Sequence, residues 1–175
     1  MRQAPADERM DRFRALALPL LGRFHRLAIG LTGNQQRAED LVQDTMLRAW
    51  RYFDTYQGDD FRAWMAVIMR NLYRSKAAPA ALSTDSEWFS EVADLLPNPE
   101  QEVLARDRAQ RLRHLIDTLP ETLRETLVTR EFGGLSYTQI ALALSVPVGT
   151  VMSRLSRARN DLRAAWMAAH DGDVS

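Results

Sequence analysis

The 175-residue chain predicts an all-α protein: two small helical domains joined by an acidic flexible linker, the C-terminal domain being a helix-turn-helix. Three observations carry this. Apolar residues recur at three- and four-residue steps in both halves, the period of a helix with one packed face. Capping residues, glycines and prolines punctuate those runs where helices should begin and end. Between the halves the period lapses: residues 77 to 104 hold no Lys or Arg against six Asp and Glu, and include Pro79, Pro97 and Pro99. We therefore expect an N-terminal domain over 1–76, an acidic linker over 77–99 and a C-terminal domain over 100–170.

In the N-terminal half, Leu16, Leu20, Phe24, Leu27 and Leu31 keep helical spacing, and Pro19 inside that run predicts a kink or a late start. Leu31-Thr32-Gly33 ends the helix. Asn34 is a suitable N-cap for a second helix, on which Ala38, Val42, Thr45, Ala49 and Phe53 share one face. The opposite face carries Asp40, Gln43, Asp44, Leu47 and Arg51. That face is not random solubilising polarity, because a leucine exposed in line with acids and an amide is as expected of a docking surface. A third helix starts near Asp59-Asp60 and runs through Phe61, Trp64, Ile68 and Leu72, with Arg62, Arg70, Asn71, Arg74 and Lys76 around it. Aromatics interleaved with basic and amide groups suit single-stranded nucleic acid, where bases stack on rings and phosphates meet arginines. The spacing of Phe61 and Trp64 favours core positions for both; Tyr52, Tyr56 and Tyr73 fall at partly exposed positions.

The linker is acidic and lacks a sustained period, as a solvated tether would. Trp88 and Phe89 within it argue against a wholly passive one.

The most informative stretch is 133 to 163. Ser136 with Gln139 three residues on forms a capping box, and Ile140, Ala141 and Leu144 follow at helical spacing. Ser145-Val146-Pro147 breaks the pattern, and Pro147 fits the first turn of a new helix, where its missing N–H costs nothing. On that helix Val148, Val151, Leu155, Ala158 and Leu162 form an apolar stripe, while Thr150, Ser153, Arg154 and Arg157 form the opposite one. A capped helix, a tight turn and a second helix with hydroxyls and arginines on its free face are the parts of a DNA-reading helix-turn-helix. Arginine can bind guanine bidentately in the major groove or neutralise phosphates.

Composition narrows the function. Lys+Arg and Asp+Glu are 23 each, which excludes a uniformly basic nucleic-acid binder, yet residues 1–76 carry 13 basic against 9 acidic side chains and residues 105–175 carry 10 against 8. There is no cysteine, so disulfide and cysteine-zinc chemistry is excluded, and His25, His114 and His170 have no ligand spacing; we expect no metal and no cofactor. The N-terminus lacks an apolar signal core and no run of eighteen apolar residues occurs, so a cytoplasmic protein is expected. The chain shows no phosphate-cradling glycine loop, nucleophile motif or catalytic cluster; neither an enzyme nor a small-molecule substrate is expected.

Three segments in order, LTGNQQRAEDLVQDTMLRAWRYFDTY, FRAWMAVIMRNLYRSK and LPETLRETLVTREFGGLSYTQIALALSVPVGTVMSRLSRAR, resemble the extracytoplasmic-function sigma factors of bacterial RNA polymerase. The resemblance spans nearly the whole chain. It implies binding without catalysis: docking on core polymerase through the β′ clamp helices and the β flap, and reading a promoter with both domains. For core docking it implies Asp40, Gln43, Asp44, Leu47 and Arg48. For the minus-10 element and its melting it implies Tyr56, Gln57, Asp59, Asp60, Trp64, Arg70 and Asn71, and for the minus-35 element Thr150, Ser153, Arg154 and Arg157. Arg159 lies toward the flank, for phosphate or an acid partner. Where many relatives follow the position of Asn71 with an acid and several arginines, this chain has Ser75, Lys76, Ala77 and Ala78, a short basic end. The resemblance also implies an anti-sigma factor, membrane-bound or soluble, that holds the two domains closed; the absence of cysteine places any redox sensing in that partner, and the tether predicts a large domain rearrangement between inhibited and polymerase-bound states. The competing reading is a conventional two-domain transcriptional regulator, which would bind duplex operator DNA without polymerase.

Overall fold

The computed structural model describes residues 6–58, 60–76 and 99–171, and among them every regular element is helical. Four helices form the N-terminal half: α1 (Ala6–Ala17), α2 (Leu21–Thr32), α3 (Gln35–Tyr52) and α4 (Phe61–Lys76). Four more form the C-terminal half: α5 (Pro99–Thr118), α6 (Glu121–Glu131), α7 (Tyr137–Leu144) and α8 (Val148–Asp171). Residues 77–98 of the expected linker, with Trp88 and Phe89, lie outside the described residues, as does Asp59.

The helix ends follow the capping chemistry of the sequence. Pro19 sits in a 3₁₀ turn, Leu18–Leu20, that separates α1 from α2. Gly33 closes α2 in the left-handed conformation at φ 71°, its N–H donating to the Ile29 carbonyl at 2.8 Å, a geometry that disfavours a β-carbon. The Asn34 side chain then accepts from the Arg37 N–H at 2.9 Å to start α3. Asp60 does the same for α4, its Oδ1 accepting from the Ala63 N–H at 3.0 Å. In the C-terminal half Ser136 and Gln139 make both bonds of the capping box, and Ser145 at φ 55° turns the chain out of α7. α8 begins at Val148, directly after Pro147.

The apolar stripes meet in one buried cluster that spans both halves. On α3 the buried face is Ala38, Leu41, Val42, Thr45 and Ala49, as the spacing requires; the Thr45 hydroxyl donates to the Leu41 carbonyl at 2.6 Å and so is satisfied without water. On α4 the spine differs from expectation. Met65 and Met69 are the fully buried residues beside Phe61 and Leu72, while Ile68 and Trp64 are only half-buried. Trp64 packs at the edge of the core rather than within it, its indole tilted against Tyr56 and the buried Phe61, each with ring centroids 5.4 Å away. Burial of each such large apolar side chain contributes roughly 1.5–3 kcal/mol. On α8 Val151, Leu155 and Ala158 are buried, but Val148, the first residue of the stripe, is exposed, having no preceding helical turn to pack beside.

One helix was not apparent in the sequence. α1 is charged on most sides, yet Phe13 and Ala17 are buried. The Phe13 ring meets Trp50 and Phe53 edge-on, at 5.4 Å and 5.2 Å, so α1 caps an aromatic cluster at the end of α3.

The two halves are in direct contact through α2 against α6 and α4 against α7. Gly30 sets the first approach: a β-carbon there would lie 2.5 Å from Val128 Cγ1 and 3.2 Å from the Phe132 ring. Only a glycine lets these helices pack this closely.

Candidate functional site

Three surfaces collect the residues that the sequence marks for function. The first is the outer face of α3. Asp40, Gln43, Leu47 and Arg48 are exposed on successive turns, and Leu47 keeps 61% of its surface in water. Their common face follows from the burial of Leu41, Thr45 and Ala49 on the other side of the helix. Asp44 is the exception, because it is half-buried and ion-paired with Lys76 at the end of α4. The short basic end of α4 is thus tied to an acid of α3. Arg48 lies over the Tyr52 ring, 5.9 Å from its centroid.

The second surface is the α3–α4 loop with the start and flank of α4. Tyr56 and Trp64 are brought together, tilted at 44° with Phe61 beneath both. Gln57 and Asn71 are exposed. Asp60 and Arg70, marked for the same role, face the other half of the chain. The Asp60 Oδ2 accepts from Gln139 Nε2 of α7 at 2.7 Å. Arg70 Nε donates to Oε1 of Glu125 on α6 at 3.3 Å, and Arg74 Nη2 lies 3.6 Å from Oε2 of the same carboxylate. Arg62 donates to the Gly134 carbonyl at 3.3 Å. Glu125 and Arg62 were not marked as site residues. Arg62 was legible as part of the basic rim of α4; Glu125 carried no signal, since a glutamate within ETLRETLVTR reads as a solvated helix residue. It is in fact 4% exposed.

The third surface is the free face of α8. Ser153 and Arg157 are exposed, while Thr150 and Arg154 are half-buried, Arg154 bordering the buried Val151–Leu155–Ala158 stripe. The Ser153 hydroxyl donates to the Thr150 carbonyl at 3.0 Å, which fixes the first turn. Among the described residues neither Arg154 nor Arg157 forms an ion pair. Arg159, on the flank, is bonded to Glu131 at 2.9 Å. The hydrogen bond to Glu131, then one to Tyr137, raises its pKa above the ordinary guanidinium value.

No group of three His, Asp or Glu among the described residues has the geometry to hold a metal ion. No described helix is long and apolar enough to cross a membrane.

A helix-turn-helix whose second helix carries arginines without acid partners among the described residues, joined to a bundle with an exposed acid-and-leucine face and an aromatic, basic edge, has the build of a DNA-directed transcription factor. Residues 16–78 match the Sigma-70 region 2 family and residues 109–162 the Sigma-70 region 4 family. The chain is 38% identical over 149 residues to the ECF RNA polymerase sigma factor EcfG of Rhodopseudomonas palustris, covering 85% of this chain and 80% of that protein. It is 36% identical over 159 residues to the ECF RNA polymerase sigma factor SigE of Mycolicibacterium smegmatis, a match over 87% of this chain that spans 60% of that relative's length. Its fold is similar to that of the sigma factor RpoE of Bartonella quintana, solved in complex with the anti-sigma factor NepR. The TM-score is 0.67 at 28% identity, covering 88% of this chain and 96% of the other. The chain belongs to the ECF RNA polymerase sigma factors.

Proposed function

We propose that this protein is a promoter-specificity factor that binds core RNA polymerase, directs initiation at a two-element promoter and makes or breaks no covalent bond. The observation that carries this reading is the free face of α8, where Arg154 and Arg157 are held in place by a buried stripe and have no acid partner among the described residues. Uncommitted arginines on a helix-turn-helix are available for base edges and phosphates.

In this reading the domain of residues 1–76 docks and melts, and the domain of residues 100–170 reads the minus-35 element through Thr150, Ser153, Arg154 and Arg157. Asp40, Gln43, Asp44, Leu47 and Arg48 meet the β′ clamp helices, the exposed leucine supplying apolar contact among the polar groups. The C-terminal domain meets the β flap. Tyr56 and Trp64 offer ring faces to unpaired minus-10 bases, with Gln57, Asp59, Asp60, Arg70 and Asn71 around them. The protein works in the cytoplasm under an anti-sigma factor, membrane-bound or soluble; the likeness to RpoE, which was solved with NepR, supports such a partner.

The test is in vitro transcription from a fragmented genomic library with purified core polymerase, with and without the protein. New start sites sharing two upstream elements are expected. Their absence, together with duplex binding by the protein alone, would sink the reading in favour of a conventional regulator.

A further inference from the structure

We propose that this chain is self-inhibited: Glu125 of α6 acts as an internal latch that neutralises Arg70 and Arg74 of α4 and holds the two domains closed with no partner bound. The inference rests on the sigma-factor reading, because it assigns Arg70 to promoter DNA.

Its chemistry is specific. A carboxylate at 4% exposure is costly to bury unless cations and hydrogen bonds compensate, and here both cations come from the other domain. Arg70 is itself only 15% exposed, so in the closed form it is withdrawn from any DNA phosphate. Two further bonds cross the same seam. Gln139 of α7 holds Asp60, and the Gly134 carbonyl holds Arg62. The closed form therefore engages Asp60, Arg62 and Arg70 with groups of the C-terminal domain, while leaving the Arg154 and Arg157 face of α8 and the Leu47 face of α3 outside the seam. A cavity of about 10 Å³, room for one water, lies beside the ion pair among Leu27, Met69, Arg70, Glu125, Thr129 and Leu144.

The same features make the latch reversible. A buried ion pair stabilises weakly in net terms, since desolvation offsets its attraction, and on opening both charges regain water. Arg70 then gains DNA phosphate in place of Glu125. The seam thus favours closure modestly, and core polymerase with promoter DNA can overcome it.

Two experiments on the full chain test this. The chain has no cysteine, and a β-carbon at Gly30 would lie 3.6 Å from the Val128 Cβ, within the separation a disulfide spans. The double variant Gly30→Cys/Val128→Cys, oxidised, should direct transcription by core polymerase at least about tenfold less than the same protein after reduction, a coupling of ordinary allosteric size. Equal output from the two forms would overturn self-inhibition. The second readout needs no transcription. With fluorophores on Leu18→Cys and Met167→Cys, both exposed positions, Glu125→Gln should raise the open population, and Arg74→Gln should raise it less, each with unchanged helicity. Unchanged label separation in both would overturn the latch. A reduced protein that gives no new start sites while Glu125→Gln opens the pair counts against the sigma reading, with the latch intact.

Discussion

The side chain of Gln139 joins two helix caps: its Oε1 accepts from the Ser136 N–H at 2.7 Å within α7, and its Nε2 donates to Asp60, the residue that caps α4, also at 2.7 Å. One amide therefore serves the local fold of the helix-turn-helix and the seam between domains. Ser136→Ala should remove only the local part and cost about 1 kcal/mol, as for other N-caps. Gln139→Ala should cost more than Ser136→Ala, and a double-mutant cycle of Gln139→Ala with Asp60→Ala should give a coupling of at least about 0.5 kcal/mol. Urea denaturation of the four proteins measures it; additive losses would show that the interdomain bond does not form in solution.

Two glycines of α2 should respond in opposite directions to the same change. At Gly30 the added methyl would meet Val128 Cγ1 at 2.5 Å, so Gly30→Ala should weaken the packing of α2 on α6 by about 1–3 kcal/mol. At Gly22 the near atom among the described residues is the flexible Arg26 guanidinium at 3.8 Å, and the change should stabilise by about 0.5–1 kcal/mol, because alanine loses less backbone freedom in a helix. Thermal unfolding compares them. If both rose in midpoint, the close approach of the two helices would be wrong.

What the sequence disclosed and what it hid divide by the range of the forces involved. The capping box of Ser136, the turn at Pro147 and the stripe of Val151, Leu155 and Ala158 are set by neighbours within a few residues, and all were legible. So were the Asn34 cap and the exposed Leu47. α1 was not, because its fully buried anchors are just Phe13 and Ala17 among the described residues, and Phe13 finds its partners at Trp50 and Phe53, far along the chain. The phase of α4 was only partly legible: apolar residues at 64, 65, 68 and 69 allow two faces, and packing against other helices selects Met65 and Met69. Glu125 was invisible for the same reason. Its surroundings become apolar only when α2 and α4 close over α6, and its cations lie 55 and 51 residues earlier.

The outer face of α3, proposed to dock on core polymerase, gives a prediction that separates binding from stability. Leu47 is exposed, so Leu47→Asp should leave the unfolding midpoint nearly unchanged, within about 0.5 kcal/mol of stability. If the leucine is buried against core polymerase, the same change should lower core affinity by at least about tenfold, since it removes apolar area and buries a charge in its place. Titration of labelled protein with core enzyme reads this. Undiminished affinity would remove Leu47 from the docking surface.

The two arginines of α8 should differ in kind from Leu47 and from each other. Neither is ion-paired among the described residues and both flank the buried Leu155, so Arg154→Ala and Arg157→Ala should fold as the parent does. A base-reading arginine contributes roughly 1–3 kcal/mol of discrimination at one position, whereas a phosphate-contacting one weakens all sequences alike and lowers the salt slope by about one. Arg154 is nearer the helix N-terminus and half-buried, in the part of a recognition helix that approaches base edges. Arg154→Ala should therefore relax sequence preference in the minus-35 element, with core binding intact. Arg157→Ala, further along and exposed, should weaken holoenzyme binding to matched and mismatched promoters equally. Holoenzyme binding to a set of single-base minus-35 variants at several salt concentrations distinguishes the two. A loss of core affinity in Arg154→Ala equal to its loss of promoter affinity would overturn the assignment, because the residue would then be acting through the polymerase interface and not through DNA.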